Sequence, residues 1–208
     1  MSIVASIRRS AVILLAGIAS LAIAWLVDWC RVGVRGSVGG LYLFRERLMD
    51  VPHFCQADGR WAGDSLGGTP SSLGAEGCAV TCAAMVLRTY GFETDPGLLN
   101  RWLSANAGYT EQGWIHWEKA AELTDGVAEH AYEAAPSYRL IDREILRGNP
   151  VIVRVRRPGA SNTHFVVVIG KSKRRYLVAD PADRSLSRRY LDEIAPTIEA
   201  LRFYRRLR

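Results

Sequence analysis

Lysine is nearly missing from this chain: of its 27 basic side chains 3 are Lys, and the preference for Arg carries no mechanistic information. Long polar tracts are missing as well. Hydrophobic residues make up 49% and charged residues 23% of the 208 positions, so no segment is polar enough for a long disordered region, and a real core can be buried. There is no internal repeat and no low-complexity stretch. No ATPase motif is present and only one long apolar run, which excludes a multi-span transporter. Cys and His are scarce, 4 of each, so chemistry built on them rests on few positions. The length prior gives one main domain with an appendage.

What is present is unevenly charged. Residues 51–138 carry 4 basic and 11 acidic side chains, whereas residues 139–208 carry 17 and 7. The basic third fits an anionic surface, such as phospholipid headgroups or an acidic peptide, and most simply solvated strand faces. Nucleic-acid binding is disfavoured, because the basic residues alternate with apolar ones in strand-like segments rather than gathering on one helix.

Residues 11–27 hold no charge and Ser20 as their one polar member, with Arg8 and Arg9 before them and Asp28, Arg31 and Arg35 after. As a helix the run spans about 25 Å, the short end of what a bilayer needs. Trp25 and Trp29 stand where an interfacial aromatic belt lies. An uncleaved anchor competes with a secretory signal cut near Ala22-Ile23-Ala24; Trp25-Leu26-Val27 continues the apolar run and favours the anchor. The expected organisation is an anchor or signal over 1–28, a linker over 29–50 whose first part is made flexible by Gly33, Gly36, Gly39 and Gly40 and whose 41–49 stretch is amphipathic, and a domain over 51–208. The Arg8–Arg9 pair points to an inside N-terminus and an extracytoplasmic domain, periplasmic or at the cell surface; cleavage would make it secreted.

Within the domain, glycines and prolines mark 51–77 as a long loop. Helical periodicity follows over 78–90, ended by Gly91. Asp95-Pro96 caps a second helix to about 106. Residues 114–124 and 137–147 read as two more, with Trp114 and Trp117 on one face of the third. Then the pattern turns β-rich: 151–156, 163–169, 176–179, 186–190 and 198–204. Helices first and an antiparallel sheet second predict an α+β fold of two unequal halves.

A thiol attacks as thiolate, which a helix N-terminus or a neighbouring imidazole favours. Cys78 opens the 78–90 helix, behind Gly77. His164 starts the most hydrophobic strand. Asp180 ends the next, and a turn centred near 172 would bring positions 164 and 180 together, one as base and one as its orienter. Gln56 and the Cys78 N–H are candidate oxyanion donors. Each residue also has a plain reading: a buried or disulfide-bonded Cys78, a core His164, a turn-starting Asp180. His53 is a reserve base. His53, Cys55, Cys78 and Cys82 have loose spacing for zinc, and a metal there would leave His164 and Asp180 without a role.

Taken in order, Gln56-Ala57-Asp58-Gly59-Arg60-Trp61-Ala62, Leu66-Gly67, Gly77-Cys78-Ala79-Val80-Thr81-Cys82, Leu99-Asn100-Arg101-Trp102-Leu103, Gly108-Tyr109, His164-Phe165-Val166-Val167-Val168-Ile169-Gly170 and Asp180-Pro181 resemble the bacteriocin-processing-type cysteine peptidases. The nearer match is to their stand-alone extracytoplasmic relatives. The resemblance covers about 51–190 and implies a papain-like fold. It implies Cys78 as nucleophile, His164 as base, Asp180 as orienter and Gln56 in the oxyanion hole. It also implies a peptide or protein substrate and no cofactor or metal. Without a fused transporter, double-glycine leader trimming does not carry over. A catalytically silent peptide-binding module and a cell-wall peptide amidase are the other readings. Cys55 and Cys82 are candidates for a disulfide in an oxidising compartment, and Cys30 for a free, lipidated or intermolecular thiol.

Overall fold

The computed structural model describes residues 2–133 and 135–207. A helix, α1 (Ser2–Cys30), comes first, followed by strands β1 (Arg35–Gly36) and β2 (Val38–Leu48). Helices α2 (Leu73–Glu76), α3 (Cys78–Thr89), α4 (Pro96–Ala105) and α5 (Trp117–Glu122) form the next group. Strand β3 (Ala128–Glu133) and helix α6 (Tyr138–Arg147) lead into β4 (Val151–Val155), β5 (His164–Ala179), β6 (Arg189–Tyr190) and β7 (Thr197–Arg206). All strand pairs are antiparallel, in the order β1-β7-β4-β5-β2, with β3 added on β7 and β6 on β5. This is the α+β architecture expected.

The sheet is covered on both faces. Val167, Ile169, Leu177 and Ala179 face Met85 and Leu87 of α3 and Leu99 and Leu103 of α4. Val166, Val168, Tyr176 and Val178 face Tyr138, Ile141 and Ile145 of α6. Alternate residues of a strand point to opposite faces, so a strand covered on both sides needs an unbroken apolar run. Each such buried side chain contributes roughly 1.5–3 kcal/mol. Local signals set the helix starts: Asp95 accepts from the Leu98 N–H behind Pro96, and Ser137 accepts from the Leu140 N–H.

β5 is extended over 16 residues, which laid straight would span about 50 Å. Yet the side chains of His164 and Asp180 touch at 2.7 Å, and the Lys171 ammonium sits 4.3 Å from the centre of the Tyr176 ring. The chain therefore doubles back within this stretch, and Lys173 takes a positive φ of 53°. The reversal expected near 172 is present, with its residues held by β2 at Leu43↔Lys173 and Arg47↔Lys171 rather than left as a free turn.

Several expectations are corrected. Residues 29–50 are not a flexible linker, since β1 pairs with β7 and β2 with β5. Gly39 and Gly40 serve close approach: a Cβ would meet the Tyr138 ring at 2.1 Å from Gly39 and the Asp142 carboxylate at 2.3 Å from Gly40. Strands therefore precede as well as follow the helices. Trp114 lies outside α5, 71% exposed, in a turn closed by the Tyr109↔Ile115 bridge. His130 is not a surface residue: it stacks on Trp117 at 6.1 Å, and burial with the Arg202 charge lowers its pKa to about 4.

Residues Val12–Cys30 of α1 form a helix long and apolar enough to cross a membrane, exposed along its length except at Asp28 and Trp29, which are half-buried. The side chains of Arg8 and Arg9 lie outside the described part. Past the helix, Arg35 pairs with Asp28 at 3.2 Å, and the Trp29 indole donates to Asp142 on α6 at 2.9 Å.

Candidate active site

Cys78 is the first residue of α3, a 12-residue helix packed across β5, and its side chain is half-buried. The first amides of a helix lack an intrahelical acceptor, so the Cys78 N–H and thiol stand at the positive end of the helix dipole. Gly77 precedes it with φ −79°, a conformation any residue adopts. The glycine is needed for space: a Cβ there would lie 2.3 Å from the Leu73 carbonyl oxygen, which the Gly77 N–H itself bonds at 2.8 Å. The turn from α2 into α3 is closed by this contact, and it aims Cys78.

His164 starts β5, where its backbone registers with Val155 of β4, so the imidazole is carried by the interior of the sheet. Its Nε2 bonds Asp180 Oδ1 at 2.7 Å, both side chains nearly buried. Nδ1 is thereby left free of Asp180, and Cys78 is near enough to the ring to help raise its pKa. Burial pulls the imidazole pKa down, but the bonds to Asp180 and Cys78 outweigh it and the net shift is upward. Burial likewise opposes ionisation of Asp180, and the His164 contact reverses this, holding the carboxyl below its usual range. Asp180 Oδ1 also accepts the Ala182 N–H at 2.9 Å, so the residue starts a turn and bonds the imidazole at once.

Gln56 is buried between these parts. Its backbone N–H donates to the Pro181 carbonyl at 2.8 Å. Its side-chain Nε2 donates to the carbonyls of Gly74 at 3.1 Å and Ala75 at 3.3 Å, in the turn leading to Cys78. Its Oε1 is buried with no hydrogen-bond partner. The side-chain amide is thus beside the Cys78 turn but occupied there. The structure brings all four sequence-predicted site residues to one place.

Among the neighbours, His53, expected near the site as a reserve base, touches the backbone of Asp180. Its Nε2 lies 2.9 Å from the Asp180 carbonyl oxygen, so that nitrogen carries the proton and braces the segment. No sequence signal marks this contact, because it joins residues 127 apart. The four cysteines are free, so Cys55 and Cys82 do not pair. Cys82, one turn beyond Cys78, is fully buried, and burial pushes its thiol pKa well up. Only Cys30 and Cys78 are accessible thiols. Among the described residues no group of three or more His, Cys, Asp or Glu is arranged to hold a metal.

A family model described as the Peptidase_C39 like family matches residues 48–207. Among solved structures, that of a Bacillus anthracis protein described as a C39-like peptidase superposes with a TM-score of 0.53 at 16% identity, covering 79% of this chain and 100% of that one. At that identity the likeness is one of fold. A search of curated proteins finds no match.

Proposed function

The chain belongs to the Peptidase_C39 like family, and from that premise we propose that it is a membrane-tethered cysteine peptidase acting through Cys78, His164 and Asp180. The observation that carries the reading is the buried His164–Asp180 bond, which leaves the second ring nitrogen free, beside a half-buried thiol at a helix start that acts on the same ring. In the cycle, Cys78 Sγ attacks the carbonyl carbon of a peptide bond as its proton passes to His164. The Cys78 N–H binds the oxyanion, joined by Gln56 Nε2 once substrate draws it off the Gly74 and Ala75 carbonyls. The tetrahedral species collapses, the C–N bond breaks, and His164 gives its proton to the leaving amine. Water, deprotonated by His164, then hydrolyses the thioester and returns the free thiol. Asp180 holds the ring and stabilises its cation. Residues 12–30 tether the domain to the membrane, with the site on the extracytoplasmic side.

A thiol-directed activity probe tests this in a Cys30→Ser background, which leaves Cys78 as the accessible thiol. Labelling is expected at Cys78 and is expected to depend on His164. Cys78→Ala and His164→Ala are expected to lower peptide turnover by on the order of 10³-fold or more while the fold is kept. Unchanged turnover in Cys78→Ala would refute the mechanism. The occupied Gln56 amide favours a second reading, a binding module that keeps the cleft without turnover. For that module the probe would label Cys78 at the rate of an ordinary thiol, with or without His164.

A further inference from the structure

We propose that the aromatic pair Tyr42–Phe44 on β2, with Arg45, Lys173 and Arg174, is a second membrane contact that seats the domain on the anionic headgroups of the bilayer its helix crosses. The inference rests on the anchor reading of residues 12–30. Phe44 is 94% exposed and Tyr42 49%, and their rings pack edge to face at 5.0 Å. A strand residue facing water ordinarily carries a polar side chain, so two adjacent rings on an edge strand call for a partner.

The fold places this pair beside the end of the helix. One carboxylate oxygen, Asp142 Oδ2, accepts both the Trp29 indole N–H at 2.9 Å and the Leu41 backbone N–H at 2.7 Å. Phe44 is three residues beyond Leu41, so its backbone lies within about 17 Å of the Trp29 indole nitrogen. Trp29 stacks on Trp25 at 5.8 Å and marks the interfacial level of the helix. The ring pair therefore stands on the part of the domain nearest the C-terminal end of the helix, the end that meets the headgroups if residues 12–30 span the bilayer.

Charge identifies the surface. Lys173 registers with Leu43, and Arg174 is close enough to act on Lys171, so both stand at the β5 reversal behind the rings. Arg45, Lys173 and Arg174 are exposed, and none forms a salt bridge among the described residues. Glu46 is the acidic residue in the same stretch. Unpaired cations around exposed aromatic rings are the chemistry of an anionic lipid surface.

The test uses the full chain in nanodiscs of mixed phosphatidylglycerol and phosphatidylcholine, with Cys30→Ser and Cys78→Ser removing the accessible thiols. A nitrobenzoxadiazole label is placed at Phe44→Cys, at Ser20→Cys within the span and at Leu98→Cys on α4. Phe44 is so exposed that its replacement does not threaten the fold. With doxyl lipids, the label at 44 is expected to be quenched to about half the extent of that at 20 or more, and the label at 98 to be unaffected. Phosphatidylcholine alone, or Arg45→Glu with Arg174→Glu, is expected to weaken the quenching at 44. Quenching at 20 with none at 44 overturns this inference and leaves the anchor standing. No quenching at 20 overturns the anchor reading, and the inference with it. Equal quenching at 44 in neutral lipid overturns the assignment to anionic headgroups.

Discussion

At His164 and Asp180 two opposed shifts share one hydrogen bond among their causes, and they fix when the pair stabilises the fold. The Asp180 carboxyl is held below its ordinary 3.8, so its share is present above that pH and fades as pH falls through the folded value. The His164 imidazole is held above its ordinary 6.5, so its share is full below that pH and fades as pH rises through the folded value. The pair therefore contributes most between those limits. Asp180→Asn removes the carboxylate that supports the cation, and the His164 pKa should then fall, not rise. The expected outcome is a pH profile of turnover whose imidazole limb moves to lower pH, with a smaller loss of kcat than in His164→Ala. Imidazole NMR titration of the two proteins checks it, and a profile that stays in place would remove Asp180 from the orienting role.

At the scale of elements, much of the site was legible and part of the sheet was not. The 78–90 periodicity found α3 and its first residue, and Asp95-Pro96 found α4, because caps and apolar spacing are local properties. The reversal that joins 164 to 180 was legible because two apolar runs flank a basic stretch. β1 and β2 were not, because Gly36, Gly39 and Gly40 read as flexibility, whereas Tyr138 and Asp142 fill the space their missing side chains leave. β3 was not, since its register comes from β7, more than sixty residues away. The bond that occupies Gln56 was also hidden, because carbonyl directions in the Gly74–Ala75 turn have no sequence signature. Gly77 carries a testable consequence of the same kind. Alanine there would push on the Leu73 carbonyl, and the α2–α3 turn would have to open. A loss of about 1–3 kcal/mol is expected, as for other overpacked sites. Because the same turn aims Cys78, kcat/KM should fall further than the lost stability explains. Thermal unfolding and turnover of Gly77→Ala at a temperature where it stays folded would separate the two effects.

For the molecule as a whole, the question is what fixes the helix to the domain it carries. The answer is a buried charge pair. Lys171, at the β5 reversal, bonds Asp142 on α6, both side chains 1% exposed. Lys171 also donates to the Gly39 carbonyl at 2.8 Å, while Asp142 accepts from Trp29 and Leu41. Burial lowers the Lys171 pKa against the support of Asp142, the mark of a cation that needs its partner. Asp142→Leu leaves that cation uncompensated and should cost about 3–5 kcal/mol in denaturant unfolding. Asp142→Leu with Lys171→Met replaces both charges by apolar groups and should recover most of the loss. The double variant cannot restore the acceptor for Trp29 and Leu41, so hydrogen exchange at residues 39–41 should stay fast even where global stability returns. Recovered protection there would mean that packing, not the carboxylate, joins α1 to the sheet.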